Sequence, residues 1–167
     1  IGGGLEFIVS SGAISGAANV SFTQFDASKY DNYKFYFQHV VPATDNVKMY
    51  GYVSTDAGSN YDTTNGNYHH QTTSDTPGLE VAENVGSDST DFGICGYFEL
   101  FAPNNTSSYT MSSSGNITYQ TNSSGGVYQL SYTSIHLVAA DVDAIRFAFS
   151  SGNIESGEIV MFGIVNS

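Results

Sequence analysis

The chain has 167 residues, of which 40% are hydrophobic and only 12% charged, with 16 acids against 4 bases and a net charge of −12 at pH 7. Such a length suits one domain with a sizeable core, here residues 1–167, and is slightly long for a simple β-sandwich. The acidic balance excludes nucleic acid and anionic membranes as partners, since both demand clustered Lys and Arg, and no apolar run approaches the ~20 residues of a membrane helix.

In chain order, Gly2-Gly3-Gly4 opens a segment, 1–16, read as a flexible or extended arm, or as a hinge from a stalk. Helical periodicity is almost absent beyond it. Short apolar runs rich in Val, Ile, Phe and Tyr predict strands near 5–9, 18–25, 33–41, 47–55, 93–101, 108–111, 117–120, 127–137, 144–150 and 158–165. Alternation assigns faces within them. Tyr33, Phe35, Phe37, His39 and Val41 share one side of the third, while Phe98 and Leu100 oppose Tyr97, Glu99 and Phe101 in the fifth. Near the end, Ile145, Phe147 and Phe149 oppose Arg146 and Ala148.

The turns Val41-Pro42-Ala43-Thr44-Asp45-Asn46 and Asp56-Ala57-Gly58-Ser59-Asn60 suit hairpin connections. The stretch 54–91 is acidic and poor in large apolar residues, and a short strand is expected near 68–73. Many short strands with tight turns predict an all-β protein, an antiparallel β-sandwich of jelly-roll type.

A search for chemistry finds little. GxSxG, HExxH and GxxxxGK signatures are absent. The lone Cys95 lies in an apolar run and is expected in the core. His39 and His136 fall in strands, where a packed or hydrogen-bonded ring is the expected role. His69 and His70 are adjacent, so in a strand they point to opposite faces and cannot both grip one metal. Asp56, Asn60 and Asp62 space oxygen donors as a calcium loop does, without the glycine and bidentate glutamate that complete one; a polar turn with solvated carboxylates is the competing reading. Glu99 is the best glycosidase candidate, yet a second carboxylate across a sugar is not evident. A cross-strand ion pair with Arg146, the only arginine, is the simpler expectation for it. No enzyme and no cofactor are therefore expected, with calcium the one metal considered. For a glycan, Tyr61, Tyr68 and Asn60 are the candidate contacts.

From Tyr33-Lys34-Phe35-Tyr36-Phe37 through Val41-Pro42-Ala43-Thr44-Asp45 and Val53-Ser54-Thr55-Asp56-Ala57-Gly58-Ser59-Asn60-Tyr61, the order of elements resembles a β-sandwich module of tailed-bacteriophage virion proteins. Gly96-Tyr97-Phe98-Glu99-Leu100-Phe101 and the ending Val142-Asp143-Ala144-Ile145-Arg146-Phe147-Ala148-Phe149 continue it, so the likeness runs from about residue 30 to residue 165. The ending departs from that family where Glu158-Ile159-Val160-Met161-Phe162 stands in place of a strand with a basic or polar residue. The resemblance implies non-catalytic architecture on a virion surface: capsid decoration or head fibre first, with a tail-fibre tip that binds host glycans as the alternative. It also implies phage capsid or tail proteins as partners and homo-oligomers, commonly trimers. Three copies at −12 each carry −36 charges, a self-repulsion that points to a saline setting or to bound calcium.

Overall fold

In a computed structural model of the chain, residues 4–71, 73–121, 126–129 and 131–165 are described. They form fourteen strands and no helix: β1 (Leu5–Ser10), β2 (Ile14–Ala17), β3 (Val20–Phe22), β4 (Tyr30–Pro42), β5 (Val47–Ser54), β6 (Tyr68–His70), β7 (Thr73–Thr76), β8 (Leu79–Val85), β9 (Ile94–Phe101), β10 (Thr110–Gln120), β11 (Val127–Gln129), β12 (Thr133–His136), β13 (Ala144–Phe149) and β14 (Ile154–Val165). The all-β expectation holds, and the strands form two antiparallel sheets, as a β-sandwich requires. The larger sheet runs β1-β14-β4-β9-β10-β12-β6-β7, with β2 beside β14 and β11 beside β10; the smaller runs β3-β13-β5-β8.

The chain therefore changes sheets at most of its connections. The turn after Pro42 is one such crossing: β4 lies in the large sheet and β5 in the small one, so this turn arches between layers where a hairpin was expected. The turn at Asp56–Asn60 likewise carries the chain from β5 toward β6 of the other sheet. Segment 5–17 is not a free arm. β1 pairs with β14 from Leu5↔Ile164 to Ser10↔Val160, and β2 pairs with β14 from Ile154↔Ala17 to Gly157↔Ile14. Gly2 and Gly3 lie outside the described residues.

Inward side chains of both sheets meet in one aromatic core. Phe147 of β13 has Phe35 and Phe37 of β4, Phe98 of β9 and Phe22 of β3 around it, with ring centroids 5.0 to 6.2 Å away. Most of these are edge-on, the arrangement ring quadrupoles favour. All five rings are essentially inaccessible, and Phe147 joins the layers because three of its neighbours belong to the opposite sheet.

Alternation in β4 fails at one place. Tyr33, Phe35 and Phe37 point inward as expected, but His39 is exposed and Val40 takes the buried position. His39 has φ +49°, and the pairing of β4 with β9 slips between Phe37 and Val40. A bulge thus shifts the pattern by one residue. Opposite it, Gly157 has φ +118°, and a Cβ there would lie 2.5 Å from the His39 carbonyl oxygen, so only glycine permits the approach. A second irregularity joins the predicted strands near 108–111 and 117–120 into the single strand β10.

The acidic stretch holds more structure than expected. Beyond β6 it supplies β7 and β8, and β8 buries Leu79, Val81, Ala82 and Val85 at the edge of the small sheet. The large sheet curls back toward that edge: Ser134 of β12 accepts from the Glu80 amide at 3.1 Å, and the Gly86 amide donates to the Gln120 carbonyl at 2.9 Å.

Candidate binding cleft and interaction face

The loop after β5 and the end of β12 enclose a cleft of about 350 Å³ lined in part by Asp56, Asn60, Tyr61, Asp62 and His136. Four of the five sequence candidates thus meet at one place. Tyr68 is the exception. Its ring is fully buried, its hydroxyl accepts from the Val53 amide at 3.2 Å and donates to the Asp62 carbonyl at 2.8 Å. It supports the cleft from beneath and offers no face to a ligand; burial pushes its phenol well above the ordinary range.

Asp56 and Asp62 are each held by donors of the chain itself. Asp56 Oδ1 accepts from the Ser54 hydroxyl and the Asn60 amide, and its Oδ2 accepts from Asn60 Nδ2. Asp62 Oδ1 accepts from the Thr64 amide, and its Oδ2 from Asn67 Nδ2 and His136 Nε2 at 2.8 and 3.0 Å. Every oxygen of these two carboxylates accepts from an N–H or O–H donor. Among the described residues, no three His, Cys, Asp or Glu side chains are placed to hold a metal ion. The donors from Asn60 and Ser54 hold the Asp56 carboxyl below its usual range. Burial would raise the Asp62 carboxyl, but the hydrogen bonds from His136, Thr64 and Asn67 outweigh it and hold the group at about 2.

His136 is 1% exposed and lies against the Tyr68 ring at 4.8 Å. Its sequence reading as a packed, hydrogen-bonded strand histidine matches this placement. Tyr61 has the Arg146 guanidinium 4.6 Å from its ring centroid, and Arg146 is also 5.6 Å from Tyr52. The arginine therefore fixes two tyrosines by cation–π attraction. It does not pair with Glu99, which belongs to the other sheet: Glu99 meets Lys34 at 3.2 Å across β4 and β9, where the two residues are direct register partners.

One other expectation changes. Cys95 is only partly buried, with its Sγ 3.9 Å from His39 Nδ1 at the bulge, so it is not a core residue. Glu80, inside the acidic stretch, is 1% exposed and is met by Lys48 at 3.1 Å and His70 at 3.5 Å. Nothing in its local sequence marks it as buried, because its burial comes from the curl of β12 and β6 over β8.

The outer face of the large sheet contrasts with the rest of this acidic molecule. Register partners lay out a first row of Leu5, Ile164, Asn32, Phe101 and Met111 across five strands. The next outward row is Phe7, Phe162, Lys34, Glu99 and Ser113. A third contains Val160, Tyr36 and Tyr97. Phe7 is 60% exposed and Leu5 49%, far from the usual burial of such residues. Phe7 packs edge-on against Phe162 at 6.2 Å, Tyr36 lies 5.0 Å from Tyr97, and Lys34 sits 4.7 Å above the Tyr97 ring. The two charges within these rows, Lys34 and Glu99, cancel each other. Asp31 stands at the start of β4, whereas Glu158 lies within β14 on the same side as Val160, opposite Gln38, and accepts from the Ser10 hydroxyl.

No family model, curated protein or solved structure matches this chain.

Proposed function

We propose that the chain is a non-catalytic structural protein of a phage particle surface, serving as capsid decoration or head fibre through symmetric, trimeric contacts. The observation that carries this reading is the outer face of the large sheet, whose rows through Leu5, Phe7, Phe162, Tyr36 and Tyr97 are apolar and aromatic and hold only the paired charges Lys34 and Glu99, on a chain of −12. An exposed apolar face of this kind marks a contact surface. The virion setting rests on the order of strands and turns from Tyr33 onward. The alternation of strands between the sheets, with β1-β14-β4-β9 opposite β3-β13-β5-β8, supports the jelly-roll reading.

A decoration protein works by bridging subunits of the shell, adding interface area that raises the cost of rupture. The test is co-sedimentation with undecorated capsids and, separately, with host cells at matched high salt. Saturable binding to capsids at fixed stoichiometry, insensitive to free sugars, is the expected result; binding only to cells overturns it.

A second reading, a tip that binds host glycans, is favoured by one observation: Asn60 and Tyr61 line an open cleft beside the carboxylates of Asp56 and Asp62. A sugar ring suits an aromatic face set beside polar groups in a cleft. In that case Tyr61→Ala abolishes cell binding while the fold survives, and free surface glycan competes.

A further inference from the structure

We infer that the recess between Phe92, β10 and β11 binds a small, neutral, apolar disulfide, with which Cys95 in its wall exchanges, His39 acting as the base. The inference goes beyond the proposed virion role and does not involve the cleft at Asp62.

The recess is the first reason. It measures about 180 Å³ and is lined in part by Phe92, Cys95, Thr118 and Val127. That is below the ~300–1,000 Å³ of sites for drug-sized ligands and equals about six waters at ~30 Å³ each. One aromatic ring or a short alkyl chain fills it. Its lips are apolar, Phe92 being 60% exposed and Val127 71%. A chain of −12 repels an anion, and a cation is drawn instead to the acidic loops. The occupant that suits this recess is therefore neutral and apolar.

The bulge in β4 is the second. Phe37 pairs with Gly96 and Val40 with Ile94, so Gln38 and His39 together oppose a single residue of β9, Cys95. His39 Nδ1 lies 3.9 Å from Cys95 Sγ, and its ring rests 5.9 Å from that of Phe92. The backbone is constrained to deliver this placement. His39 has φ +49°, and a Cβ on Gly157 or Gly93 would lie 2.5 Å from the His39 carbonyl oxygen or 2.4 Å from that of Val40. Backbone strain of this kind gathers where a side chain is put to use. Unbroken alternation would have turned the ring into the sandwich and left the thiol without a base.

The chemistry of the pair selects the ligand. A thiol becomes a nucleophile when an adjacent base takes its proton. Here His39 Nδ1 accepts the proton of Cys95, and the sulfur attacks one sulfur of the disulfide whose apolar half fills the recess. The old S–S bond breaks as the new one to Cys95 forms. The departing thiolate takes the proton back from His39 and leaves as a thiol. Cys95 is thereby oxidised to a mixed disulfide, and the departing half is reduced.

The test follows release of the coloured thiol at pH 7 in about 0.5 M salt, where charges beyond a few ångströms are screened. Two aromatic disulfides serve as probes, neutral 4,4′-dithiodipyridine and anionic 5,5′-dithiobis(2-nitrobenzoate), with N-acetylcysteine as the free-thiol reference. Circular dichroism and urea unfolding are the fold controls. The ratio of neutral to anionic rate is expected to be about tenfold higher for the folded chain than for the free thiol. Phe92→Ser removes an exposed lip and should return that ratio toward the free-thiol value. His39→Gly suits the positive φ, so the fold survives; the rate with the neutral probe should fall about tenfold, and added imidazole should restore it. A wild-type ratio equal to that of the free thiol overturns the inference. So does a His39→Gly variant that reacts as fast as wild type, or one whose lost rate imidazole does not recover.

Discussion

Replacing Asp62 by Asn removes a charge and leaves the shape of the cleft nearly unchanged, so the effect isolates the ionised state. In the folded chain the Asp62 carboxyl is held at about 2, against an ordinary 3.8, because His136, Thr64 and Asn67 donate to it. A carboxyl whose folded pKa is depressed stabilises the fold fully above its unfolded value and loses that contribution as pH falls through the folded one. Undamped, the difference corresponds to about 2.5 kcal/mol. The side chain is 22% exposed at the mouth of the cleft, and solvent screening reduces the figure to about 1–1.5 kcal/mol.

The assay is urea unfolding followed by tyrosine fluorescence, for wild type and Asp62→Asn, at steps from pH 7 to pH 2. Acidification also protonates the other carboxyl groups and relieves repulsion in a chain of −12. That contribution is common to both proteins and cancels in their difference. Wild type is expected to be the more stable by about 1–1.5 kcal/mol down to pH 4, with the gap closing between about pH 4 and pH 2. A gap that stays constant across the whole range would refute the reasoning, because it would place the loss in packing instead of charge.

Other outcomes follow from the same structure. Phe147→Ala removes the ring that joins the two sheets among Phe22, Phe35, Phe37 and Phe98 and should cost about 3–5 kcal/mol in denaturant unfolding. Gly96→Ala puts a Cβ 1.9 Å from the Asn116 carbonyl oxygen at φ +120°; a loss of about 2 kcal/mol or more is expected in thermal unfolding. Lys48→Met leaves Glu80, 1% exposed, without its cation. Because Lys48 itself is 39% exposed, the expected cost in urea unfolding is about 2 kcal/mol, below the ~3–5 of a fully buried pair.

What could be read from the residues follows a physical division. Strands whose alternation is clean, such as Phe98 and Leu100 against Tyr97 and Glu99 in β9, declare both their existence and their inward face. Where the backbone departs from period two, the pattern misleads: the bulge at His39 turns a ring expected inside to solvent and exchanges it for Val40. The strand β8 escaped notice because Glu80 and Glu83 interrupt its apolar run, and Glu80 is tolerated there only through Lys48 and His70, which arrive from other strands. Pairings between distant strands are equally silent in one sequence. Glu99 and Arg146 both look like strand charges in search of a partner, yet they lie in different sheets, and each finds its contact from a neighbour 65 or more positions away: Lys34 for the acid, Tyr61 and Tyr52 for the base. The cleft was legible as a cluster of Asp56, Asn60, Tyr61 and Asp62; its closing by His136 was not, since β12 reaches it only through the curl of the large sheet.

The central claim is that the outer face of the large sheet works as a contact surface. Hydroxyl-radical footprinting of the intact protein, from dilute to concentrated solution and then on capsids, tests it residue by residue. Oxidation of Phe7, Tyr36, Tyr97 and Phe162 is expected to fall together as the face is covered, while Tyr61 in the cleft and exposed Tyr109 stay reactive. Protection that gathers on Tyr61 and leaves Phe7 and Phe162 open would contradict the account and move the working surface to the cleft.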